Sequence, residues 1–188
     1  MAMKFFEAEK RAACWRDMRL EPVALPPAMQ AYVGKLEQEL RTVAAFRLRA
    51  NGGEEVFDLM TYENWRFSHL ITELWKRAPF AELVGAPVAD VEDHFVPSAE
   101  FDMCAFLARI LHRGGCASRR DHITFREAFE HAVAALASLS SSPYTPFWSV
   151  ALVSEHAWCS FFDDIAWDAS VILVERPFIT VLLATDTD

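Results

Sequence analysis

The chain has few glycines, six in 188 residues, and none lies in an arrangement that binds nucleotides. Phosphate-binding loops and dinucleotide folds need glycines at fixed spacing, because the backbone must approach the phosphate closely. A Gly-x-Ser-x-Gly motif, which marks the nucleophile of many hydrolases, is also missing from the sequence. The commonest signatures of nucleotide-binding proteins and serine hydrolases are therefore absent, and we expect no cofactor.

Cysteine is also sparse, and its spacing is wide. Cys14, Cys104, Cys116 and Cys159 form no Cys-x-x-Cys pair. We interpret them as reduced thiols, because a disulfide-stabilised secreted domain has a denser cysteine framework. The first ten residues mix charged with apolar side chains and so lack the continuous apolar stretch of a secretory signal. These features predict a cytoplasmic protein.

No hydrophobic run of the sequence has the make-up of a membrane span. Residues 132–154 contain no Lys, Arg, Asp or Glu, but a run of serines and two prolines interrupts them. In a bilayer these breaks would leave backbone polar groups without hydrogen-bond partners. We therefore expect a loop between two buried elements there, and no membrane as a partner.

Apolar residues are plentiful instead, at 53% of the chain. Burial of this much apolar surface offsets the conformational entropy of the chain without help from metals or disulfides. A length of 188 residues is typical of one compact domain. The composition therefore predicts a single globular domain, residues 1–188.

Charge is distributed unevenly along the chain, which has a formal net charge of −9. From residue 151 onward, seven acidic residues are set against Arg176 alone, which gives this region a net charge of −6. The seven are Glu155, Asp163, Asp164, Asp168, Glu175, Asp186 and Asp188. Five arginines between Arg109 and Arg126 are interpreted as a solvated rim or as intramolecular partners of this acidic region. The acidic balance disfavours nucleic acid as a partner and favours a basic one.

Apolar residues at three- and four-residue steps predict five helices. These cover residues 2–18, Pro27 through Val43, Thr61–Arg77, Ser98 through Leu111, and a last helix that starts at a Thr124–Glu127 capping box and continues past Leu136. Asn51, Gly52 and Gly53 either cap the second helix or turn a hairpin, and we favour the cap. Residues 78–97 contain three prolines and are expected to be a long connection.

Short runs rich in β-branched residues near the end of the chain predict strands at residues 147–153, 169–174 and 178–184. Only three residues around Arg176 separate the last two runs, which favours an antiparallel hairpin. The runs are nearly continuous in apolar character, so helices should cover at least one face of the strands. The predicted fold is α+β, with about five helices packed on a small C-terminal antiparallel sheet of three or more strands.

The densest group of chemically capable side chains follows residue 154. It consists of His156, Asp163, Asp164 and Asp168. Such side chains, if they converge at one end of a sheet, can bind a divalent cation or act as general acid and base. Their commoner role is to form turns and solvated surface, and an acidic face of this kind also suits a binding partner. Trp158 and Trp167 flank the loop and are predicted to rim a pocket.

Two other arrangements have some of the residues that catalysis or metal binding needs. Cys159, His156 and Asp163 would form a nucleophilic triad only if the backbone folded back sharply. A zinc site would draw on Cys104, His112, Cys116 and His122. Their spacings match no standard zinc motif, and Cys104 lies on the apolar stripe of its helix.

Two classes of function follow. The first is a non-enzymatic, inhibitor- or immunity-like protein whose acidic C-terminal surface captures a basic protein partner. The alternative is a metal-binding protein or hydrolase that uses the His156, Asp163, Asp164 and Asp168 cluster. Exposed aromatic residues would also allow a homodimer.

Overall fold

The computed structural model describes residues 2–40, 42–57, 68–87, 91–98, 100–114, 123–140, 150–162 and 167–186. Within these ranges the fold is α+β, as predicted, with helices packed on an antiparallel sheet. The helices are α1 (Ala2–Asp17), α2 (Pro27–Glu39), α3 (Ser68–Trp75), α4 (Ala78–Val84), α5 (Glu100–Arg113) and α6 (Phe125–Leu139), and a 3₁₀ helix covers Val91–His94. The strands are β1 (Arg19–Val23), β2 (Thr42–Asn51), β3 (Val96–Pro97), β4 (Val150–Ser154), β5 (Trp167–Glu175) and β6 (Phe178–Asp186).

The strands form one sheet in the order β1-β2-β6-β5-β4-β3, and all neighbours are antiparallel. β5 and β6 form the predicted hairpin, in register from Trp167 opposite Asp186 to Glu175 opposite Phe178. β4 covers the described part of the first predicted strand, and the loop predicted at residues 141–149 lies outside the described residues. The sheet also includes strands that the sequence did not predict: β1 and β2, from the first third of the chain, and β3.

Helices cover both faces of the central strands. On one face, Trp15 of α1 and Leu70 of α3 belong to the same buried cluster as Ile172 of β5. On the other face, Leu107 of α5 belongs to a second cluster with Leu173 of β5. Successive side chains of a strand point to opposite faces, so a strand covered on both sides is apolar throughout. This explains the continuous apolar runs of β5 and β6.

The second helix begins at Pro27, as predicted, but ends earlier than the sequence suggested. α2 stops at Glu39, and residues 42–51 form β2. Val43, predicted as the last apolar position of the helix, is therefore in a strand. β2 pairs with β1 and β6, and Leu48 is fully buried. The preference for a helix cap was wrong, because strand formation here depends on pairing and burial more than on local propensity.

The turn after β2 packs against the end of α1. Gly52 and Gly53 have φ angles of 75° and 71°, a region that residues with a side chain rarely adopt. A Cβ atom at Gly53 would lie 2.0 Å from the carbonyl oxygen of Cys14. Glycine at position 53 therefore allows the turn to approach α1 closely.

Residues 78–97 are more regular than the predicted connection, since they contain α4, the 3₁₀ helix and β3. Pro79 lies in the first turn of α4, where a missing backbone N–H removes no helical hydrogen bond. Phe80 and Val84 of α4 are buried. The prediction was wrong here because proline breaks a helix in its interior but is tolerated at its start.

The other predicted helices are confirmed over the described residues. For the third helix these begin at Ser68, and residues 61–67 lie outside them. The capping box of α6 is present: the Glu127 N–H donates to Thr124 Oγ1 at 3.2 Å, and the Thr124 N–H donates to Glu127 Oε2 at 2.9 Å. The hydrogen bonds from Thr124 lower the pKa of Glu127. Across the described parts of the chain, no helix has the length and apolar character needed to cross a membrane.

Candidate functional site

The predicted acidic cluster is only partly covered, because Asp163 and Asp164 lie outside the described residues. Asp168 lies in β5 and is 7% exposed. Thr185 is its cross-strand partner on β6, and the Thr185 hydroxyl donates a hydrogen bond to Asp168 Oδ1 at 2.7 Å. Asp168 is therefore a buried, hydrogen-bonded residue of the sheet.

His156 is exposed and follows β4. Its ring lies against that of His94, with 5.6 Å between the ring centroids. His94 belongs to a distant part of the chain, and no pattern in the sequence connects it with His156. Within the described residues, no three His, Cys, Asp or Glu side chains come together in a way that could hold a metal ion. The structure thus pairs His156 with a second imidazole, while Asp168 lies within the sheet.

Trp158 is fully buried, so the prediction that it rims a pocket was wrong. Its indole N–H donates to Ser170 Oγ at 2.8 Å, and its ring packs edge-on against Trp75 and Phe95. An indole that places both its apolar surface and its N–H inside the protein belongs to the core. Trp167 begins β5, and its side chain is outside the described structure.

Cys159 is also buried, which argues against its role as a nucleophile. Burial raises the pKa of the Cys159 thiol to about 11, and the nearby Asp168 carboxylate contributes to this shift. The thiolate is the reactive form of cysteine, so a buried thiol with a raised pKa is inert near neutral pH. The triad hypothesis with His156 and Asp163 is not supported by this environment.

Only two of the four predicted zinc ligands, Cys104 and His112, lie within the described residues. Cys104 is buried in α5, and a ring nitrogen of His112 contacts the carbonyl oxygen of Ile123 at 2.9 Å. Cys116 and His122 lie outside the described residues. Cys104 thus occupies the core position that its place on the apolar stripe predicted.

The remaining acidic residues after position 151 are buried, are paired, or lie outside the described residues. Glu155 accepts a hydrogen bond from Arg109, which is one of the two roles expected for the arginines of that region. Glu175 and Asp186 are buried, and Asp188 lies outside the described residues. The described residues therefore contribute little to a common acidic surface at this end of the chain.

A different group of charged side chains surrounds an open depression with a volume of about 400 Å³. The carboxyl-terminal end of α1, the start of β1 and the last turn of α3 form its walls. We call it the basic depression, and its principal lining residues are Trp15, Arg16, Arg19, Glu73, Lys76 and Arg77. Four of these six side chains are cationic and one is anionic, in a chain of net charge −9.

Arg77 ties together the two helices that end at the basic depression. Its Nη1 donates to the carbonyl oxygen of Glu73 in α3, and its Nη2 donates to that of Trp15 in α1. The guanidinium carbon lies 4.9 Å from the centroid of the Trp15 ring. Burial lowers the pKa of Arg77, and the Glu73 carboxylate, 3.6 Å away, opposes this effect. Arg77 is thus a half-buried cation with a fixed orientation.

The other three cations of the basic depression are exposed at its rim. Arg19 Nη1 donates to the carbonyl oxygens of Arg16 and Met18, at 3.3 and 3.2 Å. A guanidinium carries five N–H donors, so most of those on Arg19 are not used by these bonds. Lys76 Nζ lies 2.5 Å from Glu73 Oε1. The rim therefore presents charged donors to solvent.

Helix polarity helps to hold these like charges together. α1 and α3 both end at the basic depression, and the carboxyl-terminal end of a helix carries a partial negative charge. This charge stabilises nearby cations such as Arg16 and Lys76. The lining still has a surplus of three formal positive charges, which makes the depression electrostatically unlike the chain as a whole.

No local pattern in the sequence indicates this site, because its cations come from two distant segments. Arg16 and Arg19 lie near the amino terminus, and Lys76 and Arg77 follow α3. Each pair is ordinary at a helix end. The two pairs come together only in the folded protein, where Arg77 donates to the carbonyl oxygen of Trp15. Comparison with known protein families, with curated proteins and with solved structures finds no match to this chain.

Proposed function

We propose that this protein is a non-enzymatic binding protein whose basic depression holds a small anionic ligand bearing phosphate or carboxylate groups. The single observation that carries the proposal is an open depression of about 400 Å³ whose lining includes four cations and one carboxylate. Small-molecule sites commonly have volumes of a few hundred cubic ångströms. The size therefore suits a compact ligand with two or more negative charges.

The chemistry of the lining supports an anionic ligand. Arginine presents a planar set of N–H donors that matches the oxygen atoms of carboxylates and phosphates, and lysine adds a compact point charge. Arg77 is held in place by α1 and α3, so its orientation is fixed before a ligand arrives. A preoriented donor loses less conformational entropy on binding.

Because the protein as a whole is negatively charged, anions should bind at such a site in preference to the rest of the surface. At −9, the chain repels anions in general, and only a local excess of positive charge overcomes this repulsion. Binding at the exposed rim cations should weaken as the salt concentration rises, because mobile ions screen charges separated by more than about 10 Å at 0.1 M ionic strength.

Isothermal titration calorimetry at low ionic strength tests the proposal, with pyrophosphate and citrate as titrants. We expect saturable one-to-one binding of at least one of them. Arg19→Gln and Lys76→Gln should each weaken that binding about tenfold, the loss expected for one charged hydrogen bond. Arg126→Gln is the matched control, since Arg126 is 88% exposed on α6 and pairs with Glu130.

The outcomes separate ligand binding from general electrostatics. An equal loss of affinity in Arg126→Gln would show that only net charge matters, and would overturn the proposed site. Absence of saturable heat with both titrants would also overturn it. Citrate binding without pyrophosphate binding would assign the ligand to the carboxylate class, and the reverse result would assign it to the phosphate class.

The other functional hypotheses stay predictions. Capture of a basic protein partner by the acidic C-terminal region requires a complex that weakens steeply with salt. A homodimer requires an elution volume that changes with protein concentration in size-exclusion chromatography. The metal-binding or hydrolase hypothesis depends on Asp163 and Asp164, which lie outside the described residues.

A further inference from the structure

Two histidine side chains from distant parts of the chain meet beside the β3–β4 edge of the sheet. His94 ends the 3₁₀ helix just before β3, and His156 follows β4 by two residues. Val96 and Val153 are paired across β3 and β4, which brings the two histidine segments side by side. The imidazole centroids are 5.6 Å apart, and the ring planes are inclined by 51°.

The backbone next to each histidine is anchored in the protein. Phe95, next to His94, packs its ring against buried Trp158 at 5.0 Å between centroids. The His156 N–H donates to Ser154 Oγ at 3.2 Å, and Ser154 is a buried residue of β4. The imidazoles therefore project from a fixed frame, which preorganises them for a common ligand.

The separation of the rings matches the geometry of a shared metal ion. A histidine nitrogen binds Zn²⁺ at about 2.0–2.1 Å, so each ring centroid lies about 3.2 Å from the ion. Two rings bound to one ion at a tetrahedral angle then have centroids about 5.2 Å apart. The observed 5.6 Å is close to this value.

We propose that His94 and His156 form a two-histidine site for a divalent transition-metal ion such as Ni²⁺, Cu²⁺ or Zn²⁺, with water at the remaining positions. Imidazole is a preferred ligand of these ions. Glu155, although adjacent in sequence, is paired with Arg109 and takes no part. With two protein ligands the affinity should be modest, in the micromolar range or weaker.

This site is independent of the basic depression. Arg19 begins β1 at one edge of the sheet, whereas His94 precedes β3 at the opposite edge. Of the predicted acidic cluster, only His156 belongs to this site. Its partner there is a second imidazole and not a carboxylate. Failure of either proposal leaves the other unaffected.

Titration of the intact protein with Ni²⁺ tests the site. Ni²⁺ is the probe because thiolates favour Cu⁺ and Zn²⁺, and this choice limits interference from the free cysteines. We expect one equivalent to bind by isothermal titration calorimetry. His94→Ala and His156→Ala each remove one of two ligands, and should each weaken binding by at least about tenfold, because loss of even an outer hydrogen-bond partner of a ligand typically costs about 10–100-fold in affinity. His131→Ala, on α6, is the matched control and should bind like the wild type.

A second measurement covers the case in which a variant alters the fold. Electron paramagnetic resonance of one equivalent of Cu²⁺ in the wild-type protein should show hyperfine coupling to two imidazole nitrogens. Coupling to a single nitrogen, or unchanged Ni²⁺ affinity in both His94→Ala and His156→Ala, would overturn the proposal. Absence of Ni²⁺ binding to the wild type would do the same.

Discussion

Replacement of Gly53 by alanine should destabilise the protein strongly, although it adds only one methyl group. Alanine at a φ of 71° costs about 1–2 kcal/mol relative to an allowed conformation. The new Cβ would also lie 2.0 Å from the carbonyl oxygen of Cys14, so the turn and the end of α1 must separate. Overpacking of this kind typically costs a further 1–3 kcal/mol, which gives a total of about 2–5 kcal/mol.

Gly34→Ala is the matched control, and its effect on the free energy of unfolding should have the opposite sign. Gly34 lies inside α2, and a Cβ there would have no neighbour within 4 Å. Alanine in a helix interior is favoured over glycine by about 0.5–1 kcal/mol, so this variant should be more stable than the wild type. The two substitutions are chemically identical, and only the local geometry distinguishes them.

Thermal unfolding followed by circular dichroism measures both variants. In a protein of this size, 1 kcal/mol shifts the Tm by roughly 2–4 °C. Gly53→Ala should therefore lower the Tm by roughly 4–20 °C, and Gly34→Ala should raise it by roughly 1–4 °C. Equal Tm values for Gly53→Ala and the wild type would refute the close approach of this turn to α1. Because α1 lines the basic depression, Gly53→Ala should also weaken anion binding.

Three further predictions concern single groups in the core and at a helix end. Trp158→Phe removes the donor to the buried Ser170 hydroxyl and should lower the free energy of unfolding by about 1–3 kcal/mol in urea denaturation. Thr124→Ala removes the cap of α6, including its bond from the Glu127 N–H, and should cost about 1 kcal/mol by the same assay. Cys159, buried with a pKa of about 11, should resist iodoacetamide at pH 8 in the folded protein and react after unfolding, as measured by mass spectrometry; rapid labelling of the native protein would contradict its burial.

Local pattern was sufficient to predict most of the helices and the last hairpin. The apolar periodicity of α1, α5 and α6 reflects the face that each buries, and the Thr124–Glu127 box marks the start of α6 by chemistry confined to four residues. The continuous apolar runs of β5 and β6 predicted strands covered by helices, and both faces are covered. In these elements, local propensity and tertiary packing favour the same conformation.

The strands from the first third of the chain could not be predicted in this way. β2 looks like the end of a helix in isolation and becomes a strand because it pairs with β6, from the end of the chain. β1 contains Pro22, which discourages a strand assignment, yet β1 lies at the sheet edge, where proline is tolerated because alternate N–H groups face away from the neighbouring strand. Trp158 appeared to flank a surface loop, but packing placed it in the core.

The candidate sites show the same division between local and long-range information. By itself, the sequence determined which residues can carry charge or bind a metal, that the chain has ample apolar material for a core, and where most helices and the final hairpin lie. Only the tertiary structure decided that Asp168 is buried, that Arg19 meets Arg77, and that His94 meets His156. The physical reason is that propensity and periodicity act over a few residues, whereas strand pairing and helix packing join segments that are remote along the chain.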